Sequence, residues 1–127
     1  MDNMRMTFAA LALLCAACGS SPTPKVAGVP DDYPTDVPIY PGAKVTMAQS
    51  GTRQHLRELM LASGDNAAKI VDFYRKGLEA NGWNIQHAMT SDQVSALTAV
   101  KENRQMILQV VYRDSKSTIN QVVSDKR

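Results

Sequence analysis

Apolar positions keep two different periods along this chain, and each change of period marks a change of element. Residues 44–49 alternate, which predicts a strand with Val45 and Met47 on one side. Ser50-Gly51 supplies a turn, and residues 53–62 read as a second strand carrying Leu59 and Leu61. Ser63-Gly64-Asp65 breaks the alternation and places Asp65 to cap a helix. Residues 66–81 follow the helical period. Ala67, Ile70, Val71, Phe73, Tyr74, Gly77 and Leu78 share one arc of roughly 160°, with Lys69, Asp72, Arg75, Lys76 and Glu79 on the remainder. Gly82 predicts the stop.

Period two then returns. Trp83, Ile85, His87 and Met89 alternate with Asn84 and Gln86. Residues 95–100 form a weaker strand, Arg104–Arg113 a strong one with Met106, Leu108, Val110 and Tyr112 on one face, and 118–123 a last one with Ile119 and Val123 inward. Connections of two to five residues favour antiparallel hairpins over crossovers. The predicted fold class is α+β: an antiparallel sheet of five to six strands, ordered β-β-α-β-β-β-β, with one amphipathic helix across one face. Gly77 lies in the apolar arc, where glycine costs about 1 kcal/mol relative to alanine. Close approach of the helix backbone to the sheet is the expected compensation. Ile107 and Val111 face away from the core, so they and Gly77 are the candidate binding-surface residues.

Two segments of this pattern carry a resemblance. Val37-Pro38-Ile39-Tyr40-Pro41-Gly42-Ala43 uses prolines to force extended backbone, then a Pro-Gly turn into the first strand. Together with Phe73-Tyr74 through Leu78 to Gly82-Trp83, it resembles a group of small uncharacterised bacterial secreted or lipoprotein domains. The resemblance spans residues 36–123, matches structural positions and implies no activity.

The first eighteen residues follow neither period. After a short polar start with Arg5, residues 7–17 are uncharged and apolar, a length that suits a signal peptide and falls short of a membrane-spanning helix. Leu14-Cys15-Ala16-Ala17-Cys18-Gly19 resembles the lipobox of bacterial lipoproteins, with Cys15 where such motifs usually have leucine. The resemblance implies cleavage after Ala17, a diacylglyceryl group on Cys18 and acylation of the new amine. Cys15 follows Leu14 rather than a small residue, so Cys18 is the expected lipid site. Two or three acyl chains hold a protein firmly at about 0.8 kcal/mol per buried CH₂. Gly19 stands where an inner-membrane retention signal has aspartate, which points to the outer membrane, facing the periplasm, if the host has two membranes. The expected organisation is a leader (1–17), a lipidated cysteine with a Pro/Ser/Gly-rich tether (18–35) and one small domain (36–127).

Composition narrows the function. The chain of 127 residues has 44% hydrophobic and 20% charged residues, values of a globular domain. A formal net charge of +2 with scattered Lys and Arg argues against a nucleic-acid partner. Beyond Cys18 the mature chain has no cysteine, hence neither disulfide nor thiol nucleophile. His55 reads as solvated and His87 as a packed strand residue, and their spacing suggests no metal site. Met47, Met60, Met89 and Met106 are irregularly spaced and read as core. No cofactor is expected. The expected function is a membrane-anchored, non-catalytic module of the cell envelope binding an envelope protein or cell-wall partner. A hydrophobic-ligand carrier, its pocket between helix and sheet lined by Gly77 and methionines, is the alternative. A small hydrolase using His55 or His87 with Asp65 or Asp72 is a third reading.

Overall fold

The computed structural model describes residues 27–126; the leader, Cys18 and the start of the tether lie outside them. Within it the chain runs β1 (Lys44–Ser50), β2 (Arg57–Ser63), α1 (Ala67–Ala80), β3 (Asn84–Met89), β4 (Val94–Lys101), β5 (Arg104–Arg113) and β6 (Lys116–Asp125). All six strands form one antiparallel sheet ordered β1-β2-β6-β5-β4-β3. The expected α+β order is therefore what the chain adopts. Helix α1 carries the chain from the β1–β2 hairpin to the far edge, and the β3-to-β6 meander returns until β6 closes on β2.

Helix α1 starts one residue later than its cap was placed. Asn66, not Asp65, accepts the Lys69 backbone N–H through its side chain at 2.9 Å. At the other end Gly82 takes φ +88°. Trp83 N–H reaches Leu78 O at 2.9 Å and Gly82 N–H reaches Glu79 O at 3.1 Å, with Trp83 and Leu78 both buried. That is the double hydrogen bond of a Schellman cap with its apolar contact, which Gly82-Trp83 supplies directly.

Three expectations fail for local reasons. Residues 53–56 do not extend β2, because Arg53–His55 coil into a 3-10 turn with Gln54 and His55 at φ 57° and 49°. On β1 the register slips between Val45 and Met47, so Met47 pairs with outward Met60 rather than sharing the side of Val45. On β3 it slips between Ile85 and His87, which turns exposed His87 and Met89 to the outer side. Each slip inserts one extra residue, and one residue reverses every later side chain.

The core is a single inner layer. Leu59 and Leu61 of β2, Leu97 and Ala99 of β4, Met106, Leu108 and Val110 of β5, and Ile119 and Val123 of β6 are buried against it. Helix α1 lies mainly over β4, with β3 and β5 beside it, and reaches β6 through Tyr74. The rest of the face is covered by residues 27–43, which contribute buried Tyr33, Val37, Tyr40 and Ala43. Composition reads residues 27–35 as tether, yet Tyr33 is 6% exposed and Val29 packs on the core. The prolines make an extended path and the residues between them supply the apolar contact, so the segment is a strap across the sheet.

Candidate functional site

Where the strap, the helix and the sheet meet, a polar cluster sits inside the apolar layer. Gln121 is fully buried on β6. Its amide donates to the Tyr33 hydroxyl at 2.6 Å and to Pro38 O at 3.4 Å, and its oxygen accepts from the Tyr74 hydroxyl at 2.6 Å. The Tyr74 oxygen in turn accepts the Tyr40 backbone N–H at 3.0 Å. Burial raises both the Tyr33 and the Tyr74 phenol well above the ordinary tyrosine range, so both stay protonated. A sequence signal for Gln121 existed: it falls on the same strand face as Ile119 and Val123.

Asp36 is the strap's second anchor. Its carboxylate takes a bidentate pair from Arg104, at 3.0 and 2.6 Å, and Lys101 Nζ at 2.9 Å. Hydrogen bonding from Arg104, with Lys101 adding, holds its pKa down at about 2 against the desolvation that opposes it. The Asp36 carbonyl accepts the Trp83 indole N–H at 2.9 Å and the Asn81 amide at 3.1 Å. Arg104 also lies over the Trp83 ring at 5.0 Å. Beside this anchor a Cβ on Gly77 would stand 3.0 Å from Pro38 Cγ. The helical glycine thus admits the strap rather than the sheet, and Pro38 covers it.

The histidines are not brought together. His55 ends the turn before β2 and His87 lies on β3, four strand spacings away, so they are at least about 19 Å apart across the sheet. His55 Nδ1 lies 2.6 Å from Asp125 Oδ2, with the His55 side chain 76% exposed. This pair has no local sequence signal, because the carboxylate lies 70 residues away in sequence. It borders a groove of about 180 Å³ that Arg57, Arg104 and Asp32 also line. Arg57 is bound there to Asp32 at 3.0 Å. The carboxylates proposed as histidine partners are engaged elsewhere. Asp65 accepts the Tyr40 hydroxyl, which lowers the Asp65 pKa; burial and that bond push Tyr40 up to about 12. Asp72 binds Arg75 and Lys76 at 2.6 and 3.0 Å. Among the described residues no three His, Cys, Asp or Glu gather as for a metal ion.

Ile107 and Val111 do face outward, 37% and 41% exposed, on the sheet face that carries neither helix nor strap. Val94, opposite Val111, and Met89 join them at 44% and 49% exposure. Gly77 is on the other layer, so the three candidate surface residues do not form one surface. Of the four methionines read as core, Met106 is buried, whereas Met47, Met60 and Met89 lie on the outer face.

The arrangement defines a class: a small α+β domain of one helix on a six-stranded antiparallel sheet. Residues 44–122 match the family described as START domain-like, more than half of the chain, and the chain belongs to that family. The matched span begins at β1 and ends inside β6, so the strap precedes it. No curated protein and no solved structure matches the chain.

Proposed function

We propose that this chain is a lipoprotein of the bacterial cell envelope, attached through Cys18, whose domain is a non-catalytic module for a small hydrophobic ligand. The proposed site is the inner sheet face beneath the strap. The observation that carries this reading is the division of that face. Helix α1 packs mainly on the β3–β5 side; toward β6 and β2 the cover is completed by an irregular segment, with Tyr33 and Pro38 on Gln121 and Asp32 on Arg57, that precedes the family's matched span. Membership in the START domain-like family is compatible with a ligand-binding module. An apolar ligand would displace Tyr33 and Val37 and take their place on Leu59, Leu61 and Ile119.

Trp83 reports on this site, because its indole N–H is bonded to the strap at Asp36. Titration of the mature chain with a fluorescent long-chain fatty acid should give saturable binding and a shift in Trp83 emission. Tyr33→Ala, which loosens the strap, should bind more tightly, because less of the ligand's binding energy goes into opening the site. Absence of saturable binding to both forms would sink the ligand reading. The anchor is tested apart from the ligand. Cys18→Ser should abolish lipid labelling and processing, whereas continued labelling would transfer the role to Cys15.

A further inference from the structure

The outer face of the sheet differs from the rest of the molecule in its chemistry. Helix α1 exposes Lys69, Asp72, Arg75 and Lys76, but the outer face is uncharged across its middle. The strand register lays Met60, Asn120, Gln109 and Ala96 in one row from β2 through β6 and β5 to β4. On one side of that row stand Val122, Ile107 and Thr98, and on the other Thr118, Val111 and Val94. Charged residues at outward register positions, Lys44, Glu58, Arg113 and Lys116, lie toward the rim. A centre of apolar, amide and threonine side chains inside a charged rim is the anatomy of a protein interface.

The geometry points to a second copy of this chain as the occupant, packed face to face about a two-fold axis along the Met60–Asn120–Gln109–Ala96 row. Such an axis exchanges the two sides of the row. Ile107 of each copy then meets Val111 of the other, the reciprocal contact that an isologous interface requires. Asn120 and Gln109 lie on the axis and meet their own counterparts, and a primary amide both donates and accepts. Glu58, four residues before Ala62 on β2, comes to lie over Ala62 of the other copy, and Lys44 is Ala62's neighbour on β1. Opposite charges therefore approach twice in each dimer.

Size and alternatives agree with this occupant. Six strands about 4.8 Å apart and roughly 25 Å of strand give a projected footprint near 600 Å². The corrugated accessible area over that footprint approaches the roughly 800 Å² per partner of a standard interface. Association along the edges is opposed, since β1 and β3 both carry register slips. A lipid surface would require cations spread over the apolar centre's margin, and Glu58 interrupts that margin.

The test is sedimentation of the full lipidated chain in density-matched detergent. The expected mass is two copies, and Ile107→Asp should raise the dimer Kd about 100-fold by apposing charge and apolar surface. Glu58→Lys and Lys44→Glu should each weaken the dimer, and the double exchange should restore it. Gln109→Cys, an exposed position, should cross-link to itself with a short bismaleimide, while Lys76→Cys on the helix should not. Unchanged Trp83 emission would show that each variant is folded. A single copy at all concentrations, a dimer indifferent to Ile107→Asp, or a double exchange that fails to restore overturns the inference. So does a monomer whose outer face instead binds vesicles.

Discussion

Asp36 is where the strap is tied most firmly, and replacing it with asparagine isolates the charge from the shape. The carboxylate titrates at about 2 in the fold against an ordinary 3.8. At about 1.4 kcal/mol per pH unit, that gap corresponds to about 2.5 kcal/mol of stability. The side chain is a quarter exposed, so solvent screening reduces the expected effect to about 2 kcal/mol. Asparagine retains an acceptor for Arg104 but leaves two half-buried cations, Arg104 and Lys101, without their anion.

The sign follows from the direction of the pKa. A carboxyl whose folded pKa is depressed stabilises the protein above its unfolded value, near pH 4, and loses that contribution as pH falls through about 2. Urea denaturation followed by Trp83 emission should show Asp36→Asn about 2 kcal/mol less stable than the parent at pH 7. The difference should shrink between pH 4 and pH 2, because the parent protonates its own Asp36. No penalty at pH 7, or one that persists undiminished at pH 2, would refute an electrostatic anchor. Unchanged emission in the variant's folded state would show that the indole bond to the Asp36 carbonyl survives.

Other consequences follow from the same contacts. Gln121→Leu should cost about 2–4 kcal/mol, since it strips partners from two buried hydroxyls, and Tyr33→Phe about 1–2 kcal/mol. Their double variant should cost measurably less than the sum, and strict additivity in chemical denaturation would remove the hydrogen bond between them. A chain beginning at Asp36 lacks Tyr33 and the Asp32 partner of Arg57, and should be about 3 kcal/mol less stable than one beginning at Ala27. Equal melting temperatures for the two would return residues 27–35 to the tether.

The order of elements was legible because it rests on local rules. The helix announces itself through Ile70, Val71, Tyr74 and Leu78 at helical spacing, and its end through Gly82-Trp83. The strands announce themselves through alternation. What stayed hidden depends on contacts distant in sequence. A bulge such as that between Ile85 and His87 has no composition of its own; it reveals itself only in the pairing with β4. Likewise Tyr33 sits among prolines and looks solvated, and only the uncovered half of the sheet explains why it is buried. The Gly77 exception was visible but not its cause, because the partner that fits over it is Pro38, far back along the chain.

The strap's anchors also set the size of ligand the proposed site can accept. Asp36 contributes about 2 kcal/mol, the Gln121–Tyr33 hydrogen bond about 1–2, and returning Tyr33 and Val37 to water about 4 more, so opening the site costs about 8 kcal/mol. A ligand recovers about 0.8 kcal/mol per methylene buried, so the first ten or so methylenes only offset the opening. Micromolar affinity needs about 8 kcal/mol more, or roughly ten further methylenes. Saturated fatty acids should therefore divide by length: an eight-carbon chain should not bind measurably, a sixteen-carbon chain should bind weakly, and affinity near 1 μM should need about twenty carbons. In Asp36→Asn the threshold should fall by two or three carbons, since the anchor it removes is part of the opening cost. Affinity independent of chain length, or a threshold that ignores Asp36, would mean that the acyl chain does not enter beneath the strap.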